Sequence, residues 1–146
     1  MTPFKKFSVA EVKDKAEALL RSALTKKALN PVLIRLAGLT AITDYFLIIS
    51  GRSNRQVTAI AELIQEDAKK LNYARLSAEG VQKGTWALLD YGDVVVHVFQ
   101  PEVRDFYDLE GLWAEAPRES FSPDLQEEIA AAASEVEDEE EWDEDD

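Results

Sequence analysis

Cysteine is absent from the 146-residue sequence and histidine occurs once, at His97. Disulfide frameworks, thiol nucleophiles and His/Cys zinc sites are thereby excluded, and the carboxylates show no spacing that asks for a metal or a cofactor. No stretch approaches the ~20 apolar residues that span a bilayer. The opening residues, Met1-Thr-Pro-Phe-Lys-Lys-Phe-Ser, carry two lysines but lack the apolar run of a secretory signal. The simplest address is the cytoplasm, with no membrane partner. Lys and Arg are missing altogether after Arg118.

That last absence redistributes the charge. The formal net charge is −13, yet residues 119–146 hold 14 Asp or Glu, while residues 1–118 hold 16 basic against 15 acidic side chains. The body, 1–118, is nearly neutral and fits one domain, whose single core buries roughly two thirds of the surface the unfolded chain exposes. Concentrated like charge with little apolar content cannot offset the entropy of ordering. Residues 119–146, above all Glu135 to Asp146, are therefore expected to be largely disordered. Such a segment aids solubility and repels RNA, whose binding depends steeply on phosphate contacts; no specific nucleic-acid readout is expected.

The body reads as alternating elements. Ser8-Val-Ala-Glu11 is a capping box, and Val12, Ala16, Leu19, Leu20, Ala23 and Leu24 follow at helical spacing. Asn30-Pro31 ends that region. A strand covers Val32 to Leu36, and the continuous apolar run Tyr45 to Ile49 reads as a central strand buried on both faces. Ser53-Asn-Arg-Gln56 opens a second capping box, for a helix running to about Leu71 with Val57, Ile60, Ala61, Ile64, Ala68 and Leu71 on its buried stripe. A short strand near Ala74 to Ser77 precedes a hairpin of Thr85 to Leu89 and Val94 to Phe99, and a final helical segment spans Val103 to Trp113. The order αββαβββα predicts an α/β (α+β) fold, a mixed sheet with helices packed on one face.

If the hairpin loop is the two residues Tyr91-Gly92, Asp90 pairs with Asp93, Leu88 with Val95 and Trp86 with His97. Thr85, Ala87, Leu89, Val94, Val96 and Val98 then form an aliphatic core face. The opposite face carries Trp86, Leu88, Val95, His97 and Phe99 with Asp90 and Asp93 at its rim, which resembles an interface core with a polar rim; either a third layer covers it or a partner does, and a partner is favoured because antiparallel sheets often leave one face open. Asp-x-Gly-Asp is explained by turn preference, so a catalytic carboxylate pair is not required. Ser50-Gly51-Arg52-Ser53 lies between a strand and a helix start, a place that suits phosphate, and leaves a nucleotide-binding or nucleotidyl-transfer reading open for the Gly51–Ser53 turn. Phe106 to Trp113 packs three aromatics and two leucines into eight residues. One side of that segment must dock on the sheet, and the excess aromatic surface favours binding.

Three stretches carry a resemblance: Asp44-Tyr-Phe-Leu-Ile-Ile-Ser-Gly-Arg-Ser-Asn-Arg-Gln-Val, Gly84-Thr-Trp-Ala-Leu-Leu-Asp-Tyr-Gly-Asp-Val-Val-Val-His-Val-Phe, and Phe106-Tyr-Asp-Leu-Glu-Gly-Leu-Trp. Together they resemble the ribosomal silencing factor (RsfS), or Iojap-like, family over about Val9 to Pro117. The resemblance implies a nucleotidyltransferase-like fold without enzymatic machinery, since Asn54 and Gln56 stand where such enzymes carry paired aspartates after a Gly-Ser turn. It further implies a homodimer when free, binding to the large ribosomal subunit through ribosomal protein uL14, and steric block of subunit joining that represses translation under nutrient limitation. Carried onto this sequence, the family's partner-binding surface falls on Trp86, Asp90, Tyr91, Asp93, His97, Tyr107, Asp108 and Trp113.

Overall fold

The computed structural model describes residues 7–140, with side chains through residue 135. Along the chain it contains α1 (Val9–Thr25), β1 (Leu29–Arg35), β2 (Tyr45–Ser50), α2 (Asn54–Lys70), β3 (Ser77–Glu79), β4 (Trp86–Asp90), β5 (Val94–Phe99), α3 (Pro101–Tyr107), α4 (Leu109–Leu112), β6 (Arg118–Glu119) and α5 (Pro123–Glu140). Both halves of the first capping box form: Ser8 Oγ accepts from the Glu11 amide, and Glu11 accepts from the Ser8 amide. Only half of the second forms. Ser53 Oγ accepts from the Gln56 amide at 3.1 Å, but the Gln56 side chain donates to the Lys26 carbonyl, stitching the start of α2 to the end of α1. Leu71, expected on the buried stripe, is half exposed, because the helix ends there and Asn72 turns the chain at φ 63°.

The strands form one sheet in the order β3-β4-β5-β2-β1-β6, with β2 and β5 parallel and the other neighbours antiparallel. A parallel pair needs a crossover, which α2 supplies. β2 sits between β5 and β1, so its alternating side chains enter two cores. Tyr45, Leu47 and Ile49 join the stripes of α1 and α2 with Ala87, Leu89, Val96 and Val98. Ile48 joins Ile34, Leu36, Phe99 and Ala116 on the other side, under Val103, Leu109 and Trp113. The mixed α/β sheet with its long helices on one face is thus as the pattern implied, and the short helices α3 and α4 add a partial third layer.

Three expectations are corrected. The hairpin pairs Asp90 with Val95, Leu88 with His97 and Trp86 with Phe99, not Trp86 with His97. Its loop is Gly92-Asp93, closed by Tyr91 N–H to Val94 O at 2.9 Å, because Gly92 accepts φ 87° at the first loop position whereas Tyr91 would be strained there. Each partner moves by two residues, so every strand side chain keeps its predicted face. Secondly, the final helix is broken at Asp108, which adopts φ 47° and caps α4 by accepting from Gly111 N–H at 3.0 Å. Thirdly, the acidic region is not structureless from residue 119: β6 pairs with β1, and α5 buries Leu125 and Ala132 against α1. Phe121, Leu125, Ile129 and Ala132 supply an apolar stripe at helical spacing that the charge count concealed. Residues 141–146, included in the expectation of disorder, lie outside the described residues.

Candidate functional site

The face of the sheet opposite α1 and α2 is a chain of rings. Trp86, at the start of β4, stacks on Phe99 at 4.8 Å and meets Tyr107 of α3 at 4.8 Å. His97 packs edge-on against Phe46 at 4.5 Å, and Phe46 meets Trp113 at 6.3 Å. The pairing Phe46–Val95 in the parallel β2–β5 register places Phe46 on this face. Four of the eight expected residues, Trp86, His97, Tyr107 and Trp113, are brought together in this way, with Phe46 and Phe99 as the links between them.

His97 is buried, and its Nδ1 accepts the Trp86 Nε1 proton at 3.1 Å. Burial pushes its pKa down to about 4, so near neutral pH the ring is uncharged with its proton on Nε2. That nitrogen has no hydrogen-bond partner among the described residues. An imidazole with this pKa and an indole for a partner fixes the tilt of Trp86; it does not resemble a general base poised near neutrality.

α3 and α4 are clamped onto the face from both ends. Arg104, itself buried, donates to Ser50 Oγ at 2.8 Å and to both carboxylate oxygens of Glu110 at 2.9 and 3.0 Å. Its hydrogen bonds hold the Glu110 carboxyl below the ordinary range, against an opposing effect of burial. Arg118 donates to the carbonyls of Glu110, Trp113 and Ala116. The outer side of this ridge is apolar and open: Phe106 is 80% exposed, Leu112 72% and Tyr107 52%. The clamped backbone thus holds these apolar side chains in solvent as an exposed apolar patch.

The other expected residues lie elsewhere or act locally. Tyr91 points to the helix side and is buried in the main core. Asp93 leaves the predicted rim and pairs with Lys15 of α1 at 2.7 Å. Asp90 keeps to the aromatic side, at the sheet's end, where its Oδ1 accepts from Gly92 N–H at 2.8 Å. Asp108 is exposed and serves α4 as its cap. Phe46, Phe106 and Leu112 were not among the expected site residues. The last two lie inside the aromatic-rich segment that pointed to binding; nothing in an all-apolar strand marks Phe46. In the Gly51–Ser53 turn, the Ser53 hydroxyl is engaged by Gln56 N–H, and the Gly51 backbone abuts Val57.

Comparison with known proteins adds a sequence-wide likeness. The family model described as "Ribosomal silencing factor during starvation" matches residues 9–146. The ribosomal silencing factor of Zymomonas mobilis is 46% identical over 87 residues, which span 60% of this chain and 65% of that protein. The mouse protein named mitochondrial assembly of ribosomal large subunit protein 1 is 37% identical over 76 residues, 49% of this chain and 32% of that one. A crystal structure from Chromobacterium violaceum has the same fold with a TM-score of 0.68 at 33% identity, covering 80% of this chain and 93% of its own.

Proposed function

Because the chain belongs to the ribosomal silencing factor family, we propose that it binds the large ribosomal subunit through ribosomal protein uL14 and sterically blocks association with the small subunit, repressing translation under nutrient limitation. The observation that carries this reading is the clamped ridge of α3 and α4, which holds Phe106, Tyr107 and Leu112 in solvent above an aromatic layer. Occlusion needs a specific patch and no reactive group. Large aromatic and aliphatic anchors on a rigid backbone are what interface hot spots are made of. The mouse relative's name refers to the large subunit, which agrees with that choice of partner. Trp86, His97 and Trp113 act from beneath, fixing the ridge, while Asp90 contributes charge at the edge.

The protein in this reading is not an enzyme and needs no cofactor. It works in the cytoplasm, and when free its exposed ridge is covered by a second copy in a homodimer. A nucleotidyl-transfer role for the Gly51–Ser53 turn has less support, since its hydroxyl and first-turn amide are already joined to each other.

Sedimentation of the purified protein with isolated large subunits, small subunits and a mixture of both tests the proposal. Co-sedimentation with large subunits alone, with fewer joined ribosomes in the mixture, is the expected result. Binding to neither subunit, or binding without loss of joined ribosomes, would overturn it.

A further inference from the structure

Tyr91 is 4% exposed, yet its hydroxyl has no hydrogen-bond partner among the described residues. A buried polar group in that state costs stability unless something satisfies it. Burial pushes the Tyr91 phenol up, while the Arg75 guanidinium draws it partly back, which puts the hydroxyl on the Arg75 side of the ring. There a cleft of about 480 Å³ opens between the end of α2 and the chain leading to β3, lined by Gln65, Lys69, Asn72, Tyr73, Arg75 and Tyr91. No described carboxylate lines it, in a chain whose net charge is −13.

Backbone hydrogen bonds fix the walls. Asn72 turns the chain at φ 63°, and the last carbonyls of α2, on Asp67, Ala68 and Lys69, accept from the amides of Leu71, Tyr73 and Asn72 at 3.0, 2.9 and 3.1 Å. Those bonds blunt the negative end of the helix dipole, which would otherwise oppose an anion here. Leu76 N–H donates to the Asp90 carbonyl at 2.7 Å, pinning the far side of the cleft to β4. Arg75 donates to the Gln65 side-chain oxygen, a neutral partner, and it is Lys70, not Lys69, that reaches Asp67. Two positive charges therefore line the cleft with no carboxylate partner among the described residues. Asp14 and Asp93 lie near the Tyr73 hydroxyl, but Asp93 is paired with Lys15 at 2.7 Å, and neither lines the cleft.

We propose that this cleft binds a small organic phosphate monoester, with Lys69 and Arg75 flanking its dianion, the Tyr91 hydroxyl donating to a phosphate oxygen and the half-buried Tyr73 ring walling the organic part. Charge favours phosphate over a lone carboxylate. Two cations match a monoester carrying roughly −1.5 to −2 near pH 7, and charge-assisted hydrogen bonds to phosphate are among the strong ones. Size favours an organic phosphate over the bare ion, since clefts of roughly 300–1,000 Å³ suit ligands larger than one phosphate group. A ligand held there ties the end of α2 to the β4–β5 hairpin and stabilises the folded chain by mass action; no reaction is asked of it. The cleft lies on the helix side of the sheet, so this inference is independent of the role assigned to the aromatic ridge.

Isothermal titration of the full chain at low salt with glucose 6-phosphate, adenosine 5′-monophosphate and inorganic phosphate tests the site. At least one monoester should bind with a Kd of ~1 mM or below, and inorganic phosphate at least about tenfold more weakly. The two monoester arms show whether the organic part is a sugar or carries an aromatic base. The double variant Lys69→Gln, Arg75→Gln changes two exposed side chains and should lose at least about tenfold in affinity. Tyr91→Phe should weaken monoester binding several-fold while raising the Tm of the ligand-free protein, because it deletes an unsatisfied hydroxyl. Binding of neither monoester, equal binding of inorganic phosphate, or undiminished binding by the double variant would overturn the proposal. A Tyr91→Phe protein that binds as the wild type does, or that is less stable without ligand, would show that the hydroxyl is satisfied within the chain and overturn its role.

Discussion

Asp93→Asn removes the charge that Lys15 faces while keeping the shape of the side chain. Lys15 is 7% exposed; its Nζ lies 2.7 Å from Asp93 Oδ1 and 3.2 Å from the Tyr91 carbonyl, with the rings of Tyr73 and Tyr91 at 5.2 and 5.9 Å. Stranding one member of a fully buried ion pair costs about 3–5 kcal/mol. The Asp93 side chain is 20% exposed, and the carbonyl and rings remain around the ammonium, which brings the expected loss to about 2–3 kcal/mol. For a chain of this size that is a fall in Tm of roughly 5–10 °C. Urea and thermal unfolding followed by circular dichroism measure it, alongside Lys15→Met and the double variant. With both charges gone nothing is stranded, so the double variant should be more stable than Asp93→Asn alone. A loss below about 0.5 kcal/mol, or strictly additive effects, would show that Asp93 does not neutralise a buried Lys15 and return it to the partner-facing role that its motif implied.

Acid should weaken the fold through His97. Its folded pKa of about 4 lies below the ordinary 6.5, so its neutral form stabilises the fold fully above pH 6.5, and about 3 kcal/mol is lost as the pH falls toward 4. His97→Gln, which keeps an acceptor for Trp86, should flatten that part of the urea-stability profile between pH 7 and 4.5; parallel profiles would contradict it. Gly84 has φ 74° and a Cβ there would lie 2.3 Å from the Asn54 carbonyl oxygen. Gly84→Ala should therefore cost about 2 kcal/mol or more by urea midpoint, and a neutral result would place the β3–β4 connection elsewhere. Arg104→Met removes the clamp on Ser50 and Glu110. Amide exchange in residues 101–116 should accelerate by roughly tenfold or more with α1 unaffected; unchanged exchange would mean that apolar packing alone holds the ridge.

The elements were legible wherever a local signal carried them. The Ser8–Glu11 box, the stripe from Val12 to Leu24 and the run from Tyr45 to Ile49 each read directly as what they form. The two faces of the hairpin survived an incorrect register because strand periodicity outlasts a shift of two partners. Less legible was anything set by contact between distant residues. Lys15 lies 78 residues from Asp93, and no local pattern announces that a lysine on an amphipathic helix will draw a turn aspartate away from the opposite face. Phe46 is marked only by the parallel pairing of β2 with β5. The stripe of α5 is a different case. Phe121, Leu125, Ile129 and Ala132 stand in the sequence as a periodic apolar minority inside a dense acidic stretch, and α1 offers the surface that buries them.

In the proposed function, the ridge of α3 and α4 occludes the large subunit by contact and not by chemistry. Phe106→Ser with Leu112→Ser alters two side chains that are mostly in solvent, so stability should change by less than about 1 kcal/mol. The most direct measurement is the fraction of joined ribosomes on a sucrose gradient when large and small subunits are mixed with increasing amounts of wild-type or doubly substituted protein. The wild type should deplete joined ribosomes, whereas the folded double variant should need at least about tenfold more to do so. Equal depletion by both proteins would contradict it.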